Sequence, residues 1–298
     1  MIIGVSFSPE YAGYLHTDPQ KSFIAILDDW KFRHIRLFAQ WDWLEKEQGK
    51  VDFTQMDWFV REAEKRDVKL TMIVGQKTPR WPECHVPEWA NSLTPENYKQ
   101  ALVDYVTKVV ERYKNNPSLE IWQVENEPYL DFGVICPNFK KDLILTEMAE
   151  VRKLDPNHKI LVSDSGELST WRKTARLGDM FGTTMYRVVW NKYFGYWNYD
   201  WLPSSFYRLK LWLNGREVSE AFISELQAEP WIPDHLLEHT DIKEQYKSMD
   251  LNRLKKNIAY AQETGFPRAY LWGAEWWYWL REKGYNDIPE YIKNLKKE

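Results

Sequence analysis

The sequence predicts an α/β protein of the (β/α)8 barrel class, also called the TIM barrel, and two observations support this prediction. Short apolar segments alternate with longer amphipathic segments along the 298 residues, which is typical of repeated βα units around a parallel sheet. There are about eight such units, which is the number that closes a barrel. We therefore expect one domain over residues 1–298, with any active site at the carboxyl ends of its strands.

Eight apolar segments are the candidate strands. The clearest helix between them is predicted over residues 94–114, because Thr94 can cap its first turn and Pro95 fits the first helical position. The alternative fold is a doubly wound open sheet. It is disfavoured because residues 6–10 follow the first strand without a glycine-rich phosphate loop. The eight strands are predicted to begin at Ile2, His34, Lys69, Glu120, Lys159, Met180, Ala221 and Ala269.

One connection is unusually long and aromatic. It covers residues 187–203, after the sixth strand, and contains Trp190. Loops of this length are usually functional, although a hydrophobic plug or a dimer contact is the alternative. Aromatic residues make up 16% of the chain, with 17 Trp and 17 Tyr, which exceeds the needs of a core. Exposed rings stack on sugars or on bases, and sugar is the better interpretation here.

Charge and composition exclude several classes of protein. The net charge is −4 and the basic residues are dispersed, so no nucleic-acid partner is expected. No apolar run approaches the roughly 18 residues that span a membrane. The strand pattern begins at once, without a signal peptide, so a cytoplasmic monomer or small homo-oligomer is the simplest expectation, although a trimmed secreted chain would look the same.

Cys84 and His85 lack a second pair of residues at metal-ligand spacing, so we expect neither a metal nor a cofactor. Whether Cys84 pairs with Cys136 in a disulfide is left open.

Two acidic residues close apolar strands. Residues 121–128 read IWQVENEP and contain Glu127, and Glu225 ends the apolar run of the seventh strand. Cleavage of a glycosidic bond needs an acid for the leaving oxygen and a second carboxylate on the other side of the anomeric carbon. We predict Glu127 and Glu225 for these roles, the alternative being solvated acids at strand ends. Glu229 competes with Glu225, but it follows the strand and precedes Pro230.

These motifs carry a resemblance. Asn126-Glu127-Pro128 at the fourth strand and Ile223-Ser224-Glu225 at the seventh resemble the signature of the large clan of retaining β-glycosidases built on (β/α)8 barrels. That clan includes cellulases, mannanases, xylanases and β-galactosidases. The resemblance implies a cofactor-independent enzyme acting on an oligosaccharide or glycan, with Glu127 as acid/base and Glu225 as nucleophile. A catalytically silent sugar-binding barrel is the rival interpretation.

The same resemblance implies roles for further residues. Asn126 would bind the sugar 2-hydroxyl, Arg36 would lie near the nucleophile and Tyr186 would hydrogen-bond it. Trp272 would form the floor of the sugar site. An ion pair for Arg36 and a core position for Tyr186 are the structural alternatives. Additional substrate contacts are expected from Trp41, Trp190, Glu229 and Glu275.

The third strand departs from the cellulase pattern. It ends Gly75-Gln76-Lys77, where many of those enzymes carry a histidine. Lys77 and Arg80 either line a subsite together with Trp81 or belong to a solvated loop. The sugar is therefore left open by the sequence.

Overall fold

The computed structural model describes residues 1–131, 133–136, 142–233 and 236–297. Eight parallel strands close into a barrel, in the order β1-β10-β9-β6-β5-β4-β3-β2, and β7 and β8 form a separate two-stranded sheet. The strands are β1 (Ile2–Phe7), β2 (His34–Phe38), β3 (Lys69–Val74), β4 (Leu119–Val124), β5 (Lys159–Asp164), β6 (Met180–Met185), β7 (Val188–Asn191), β8 (Gly195–Asn198), β9 (Ala221–Gln227) and β10 (Arg268–Trp272).

Helices follow most of the barrel strands, as a (β/α)8 chain requires. Short 3₁₀ helices cover Glu88–Ser92, Val218–Glu220 and Leu237–His239, and a π-helix covers Ala25–Asp29. The α-helices are α1 (Pro9–Tyr14), α2 (Pro19–Ile24), α3 (Trp41–Leu44), α4 (Thr54–Glu64), α5 (Pro95–Tyr113), α6 (Leu143–Leu154), α7 (Ser205–Leu213), α8 (Ile242–Gln245), α9 (Leu251–Glu263), α10 (Ala274–Glu282) and α11 (Asp287–Asn294).

The predicted barrel strands are confirmed. Six begin at the predicted residue, and β4 and β10 begin one residue earlier, at Leu119 and Arg268. The helix predicted over residues 94–114 is α5, and the hydroxyl of its N-cap Thr94 accepts from the backbone N–H of Asn97 at 3.3 Å. Buried apolar runs and a capping threonine thus located these elements correctly.

The segment 187–203 differs from the predicted loop, because it contains the antiparallel hairpin β7–β8. Trp190 pairs with Tyr196 across this hairpin. The Asn191 side chain accepts backbone N–H bonds from Tyr193 at 3.0 Å and Phe194 at 2.9 Å, which closes the turn. The prediction of one long loop was wrong here, because the aromatic residues of this segment belong to two short paired strands.

The chain groups into two compact units. The terminal unit contains Met1–His34, Ser165–Thr170 and Thr183–Glu298, and the central unit contains Ile35–Asp164 and Trp171–Gly182. The single domain expected over residues 1–298 stays a prediction. Each unit has its own buried aromatic residues, such as Trp30 and Trp277 in the terminal unit and Trp41, Trp122 and Tyr105 in the central unit.

A disulfide joins Cys84 to Cys136 within the central unit, with their Cα atoms 5.2 Å apart. It connects the segment after β3 to the segment after β4, which also meet where the N–H of Val134 donates to the carbonyl of Pro82 at 2.9 Å. The pairing that the sequence left open is therefore formed. Among the described residues, no helix is both long enough and apolar enough to cross a bilayer.

Candidate functional site

The chain turns sharply after β4. Glu125 and Glu127 have φ values of 59° and 45°, a left-handed region that residues with side chains rarely adopt. The N–H of Glu127 donates to Ser163 Oγ at 3.1 Å, and its carbonyl accepts from Lys77 Nζ at 3.0 Å. These bonds hold Glu127 in a conformation that is costly on its own. The side chain of Glu127 is 6% exposed.

Asn126 is buried beside Glu127 and is held by three side chains. Its Oδ1 accepts from Arg36 Nη2 at 2.9 Å, from Ser163 Oγ at 3.0 Å and from Gln123 Nε2 at 3.3 Å. Arg36 Nε also donates to Gln123 Oε1 at 2.8 Å, which fixes the guanidinium. Within the described residues, the buried Nδ2 of Asn126 has no hydrogen-bond partner. The fixed amide therefore offers a donor to a ligand hydroxyl.

Lys77 connects the ends of β3 and β4. Its ammonium donates to the carbonyls of Glu127 and Leu130, at 3.0 and 2.8 Å, and its own carbonyl accepts from the N–H of Asn126 at 2.6 Å. Lys77 is only 5% exposed, so it does not belong to a solvated loop. Its charge is used to hold the turn that carries Glu127.

Glu225 lies within β9, in the terminal unit. Tyr186, directly after β6, donates its phenol hydrogen to Glu225 Oε2 at 2.8 Å. The register between β9 and β10 shifts between Ile223 and Leu226, where β9 contains one extra residue. Bulges of this kind redirect a side chain, and they occur often beside active sites. Glu225 is 3% exposed, and its carboxyl accepts the hydrogen bond from Tyr186.

Tyr186 is itself fixed by neighbours that the sequence did not identify. Its N–H donates to Glu167 Oε1 at 3.2 Å, and the hydroxyl of Tyr207 donates to the same oxygen at 2.5 Å. Burial raises the pKa of Glu167 to about 7. The ring of Tyr186 meets that of Trp231 edge to face, with centroids 5.3 Å apart. Tyr186 is therefore held at both its backbone and its ring.

Trp272, Glu229 and Glu275 lie near the ends of β9 and β10. Trp272 is 6% exposed, and Gly273 follows it with φ 146°, where a Cβ would lie 2.6 Å from the carbonyl oxygen of Ala228. Glu229 retains slight exposure, at 9%. Glu275 is completely buried and accepts from the N–H of Ser8 at 2.5 Å. This bond holds the segment after β1, and the sugar contact expected of Glu275 stays a prediction.

Trp41, which the sequence also predicted to contact the substrate, is buried. Its indole N–H donates to Glu45 at 2.7 Å, and its ring packs against Trp89, Tyr98 and Tyr105. With no exposed surface, the ring offers no face to a sugar in this conformation. Trp190, by contrast, is half-buried in the hairpin.

Several residues of the site were missed by sequence reasoning. Gln227 ends β9, and its Oε1 accepts from the N–H groups of Arg187 and Val188, both at 2.9 Å, which anchors the hairpin. Ser163 is the penultimate residue of β5 and contacts both Asn126 and Glu127. Their positions near the carboxyl ends of barrel strands were the available signal, because barrel active sites are built there.

Each unit thus presents one glutamate that is held by hydrogen bonds. The backbone of Glu127 is fixed after β4 in the central unit, and the carboxyl of Glu225 is oriented within β9 in the terminal unit. A carboxyl group can donate a proton, accept one or attack as a nucleophile. The disulfide removes Cys84 as a thiolate metal ligand.

Comparison with curated proteins gives partial relatives. A probable mannan endo-1,4-beta-mannosidase F of Aspergillus flavus is 28% identical over 131 residues, covering 40% of this chain and 26% of the relative. A mannan endo-1,4-beta-mannosidase A of Podospora anserina is 26% identical over 139 residues, covering 40% of this chain and 33% of the relative. The matched region therefore spans about a quarter to a third of the length of these relatives.

Solved structures match almost the whole chain at low identity. Native xylanase 10B of Thermotoga maritima has a TM-score of 0.58 and 17% identity, covering 91% of this chain and 82% of the xylanase. A GH5_18 protein of Streptomyces cattleya, solved with GlcNAc, has a TM-score of 0.62 and 13% identity, covering 91% of this chain and 70% of that protein. At these identities the likeness shows the fold, which is the predicted barrel.

A family model completes the comparison. The model of glycosyl hydrolase family 10 matches residues 38–187, which is half of the chain and includes Asn126, Glu127 and Tyr186. The predicted resemblance to barrel glycosidases is confirmed at this level. The chain belongs to glycosyl hydrolase family 10.

Proposed function

We propose that this protein is a retaining glycoside hydrolase that cleaves β-linked glycans, with Glu225 as nucleophile and Glu127 as acid/base. The observation that carries the proposal is the hydrogen bond from Tyr186 to Glu225 Oε2 at 2.8 Å. It orients one carboxyl on a strand next to a bulge, as a nucleophile must be oriented before attack. Membership of glycosyl hydrolase family 10 supports the reaction class.

The reaction proceeds in two displacements. In the first, a carboxylate oxygen of Glu225 forms a bond to the anomeric carbon while the bond to the leaving oxygen breaks, and Glu127 gives its proton to that oxygen. In the second, Glu127 takes a proton from water, which attacks the anomeric carbon and releases Glu225. A sugar hydroxyl that replaces this water gives transglycosylation instead of hydrolysis.

Asn126 is our candidate for a hydrogen bond to a hydroxyl group of the reacting sugar. Arg36, Ser163 and Gln123 hold its Oδ1, and within the described residues its Nδ2 has no partner. We assign this donor to the sugar 2-hydroxyl, where a hydrogen bond strengthens as the transition state forms. Arg36 acts by fixing this amide. Trp272 supplies the ring beneath the sugar, with Glu229 and Trp190 as further contacts.

The names of the relatives direct the choice of substrate. The curated relatives are named mannan endo-1,4-beta-mannosidases, and one of the solved structures is a xylanase. We therefore assign the substrate to β-1,4-linked glycans of mannose or xylose. Mannan, xylan and the aryl β-glycosides of mannose, xylose, glucose and galactose form the first test panel.

The decisive experiment replaces the nucleophile. We expect Glu225→Gly to lose at least about 10⁴-fold in kcat, because the covalent step is removed. Azide should restore turnover of an activated aryl β-glycoside by attacking the anomeric carbon in place of the missing carboxylate while the aryl alcohol leaves. Because this is a single displacement, the product should be the α-glycosyl azide, identified by NMR. Glu229→Gly is the matched control: it removes a proposed substrate contact but not the covalent step, so its kcat should fall far less than that of Glu225→Gly, and azide should not restore it. Azide rescue of the Glu229 variant, or undiminished activity of the Glu225 variant, would show that the assignment is wrong.

A further inference from the structure

Two carboxyl groups are buried together beneath the turn that carries Glu127. Glu125 follows β4, and Glu147 lies in the middle of α6; neither has any exposed surface. A hydrogen bond between their side chains is among the causes that shift the pKa of each group. Two ionised carboxylates in contact and out of water would repel each other and lose their hydration, which is strongly unfavourable. At least one proton must therefore stay with the pair.

The surroundings decide where that proton lies. Glu125 Oε1 accepts from the N–H of Gln76 at 3.0 Å and Oε2 accepts from the N–H of Lys77 at 2.6 Å, which favours its ionised form. Glu147 has no donor to either oxygen anywhere in the described chain. Glu147 is thus the protonated member, and its O–H donates to Glu125. Burial raises the pKa of both groups, to about 7 for Glu125 and well above the ordinary value for Glu147.

The pair is linked directly to the turn of Glu127. Glu125 binds the backbone of Gln76 and Lys77, and Lys77 in turn binds the carbonyl of Glu127 at 3.0 Å. A Cβ on Gly75 would lie 2.6 Å from Glu125 Oε1, so the chain is fitted closely around this carboxyl. Glu125 also has a left-handed φ of 59°, which persists only when its surroundings fix it.

We propose that Glu147 is a positioning residue for the acid/base Glu127, acting by sharing one proton with Glu125. Above a pH of about 7, where Glu125 ionises, the proton that stays on Glu147 keeps the pair at a single negative charge, which the two backbone N–H groups and the nearby Lys77 ammonium stabilise. The charge of the pair also raises the pKa of Tyr98 of α5, after burial as the main cause. The part of the proposal that concerns Glu127 rests on the proposed function, whereas the shared proton does not.

The shared proton is tested by folding stability against pH. A carboxyl whose pKa is raised on folding contributes stability below its unfolded pKa, and this is lost as pH rises through the folded pKa. Glu147→Gln keeps a donor to Glu125 but cannot ionise. We expect its Tm to exceed that of the wild type increasingly from pH 5 to pH 9, by on the order of 3 °C or more at pH 9. Parallel Tm curves for the two proteins would overturn the shared proton.

The positioning role is tested by dependence on the leaving group. Glu147→Ala should lose about tenfold more activity on a poorly activated glycoside than on a 2,4-dinitrophenyl glycoside, because only the former needs a well-placed acid. At pH 6, Glu147→Gln should retain most of the activity on the poorly activated glycoside that Glu147→Ala loses. Glu150→Ala, one turn further along α6, is the matched control and should change the activity on neither glycoside. Equal losses on both substrates would contradict positioning, whereas a wild type inactive on every glycoside would instead contradict the proposed function.

Discussion

The two proposed catalytic glutamates are held in different ways. Glu225 is part of a regular strand, apart from one extra residue in β9, and the phenol hydroxyl of Tyr186 donates a hydrogen bond to its carboxyl. Glu127 lies after its strand in a left-handed conformation, and its backbone is held by Ser163 and Lys77. The proposed nucleophile is thus held through its carboxyl, whereas the proposed acid/base is held through a network that fixes its backbone.

This difference suits the two chemical roles. A nucleophile must point one oxygen at one carbon, which strand geometry can supply. An acid/base must exchange a proton with the leaving group and later with water, so its position relative to two partners matters. Substitutions around Glu127 should therefore slow the proton-transfer steps. Substitutions around Glu225 should slow the formation and breakdown of the covalent intermediate.

The largest effect in this comparison is expected from Glu127→Ala. Removal of the acid should reduce kcat/KM by about 10²- to 10⁴-fold on a mannan, a xylan or an alkyl glycoside. The loss in kcat/KM should be much smaller on a 2,4-dinitrophenyl glycoside, whose leaving group departs without protonation. Steady-state kinetics on both substrate types measure the ratio. Losses of similar size on both would remove Glu127 from the acid role and end the distinction between the two regions.

The sequence predicted the parts of this comparison that depend on local pattern. Apolar runs gave the strand positions to within one residue, and both glutamates were chosen because they close such runs. The left-handed turn at Glu125 and Glu127 was not predictable, because contacts with Gln76 and Lys77 from a distant segment stabilise it. Burial of Trp41 was missed for the same reason, since residue type alone does not show which ring packs into the core.

A smaller effect is expected from Tyr186→Phe, in the nucleophile region. The change removes the hydrogen bond to Glu225 and leaves the ring packed against Trp231. A hydrogen bond to a charged group contributes about 1.5–3 kcal/mol, so kcat should fall by roughly 10- to 100-fold. Because proton donation by Glu127 is untouched, the loss should be similar for good and poor leaving groups.

The control for this variant is Tyr196→Phe. This change in strand β8 of the hairpin removes the hydroxyl that donates to Glu244 of α8. It should leave kcat nearly unchanged. A Tyr186→Phe variant that loses activity only on poor leaving groups would show that Tyr186 serves proton transfer, and the contrast between the two regions would then be wrong.

The smallest effect on activity is expected from removing the disulfide, which lies in the acid/base region. The double variant Cys84→Ser, Cys136→Ser should lose about 2–4 kcal/mol of unfolding free energy, because the unfolded chain is no longer constrained. Its kcat on a poorly activated glycoside should fall by no more than about threefold, or less than 1 kcal/mol, since Lys77 and Ser163 still hold Glu127. Denaturant unfolding and kinetics at one temperature measure the two quantities separately. If this variant instead loses activity as severely as Glu127→Ala while remaining folded, the covalent link, and not the buried hydrogen bonds, is what positions the acid.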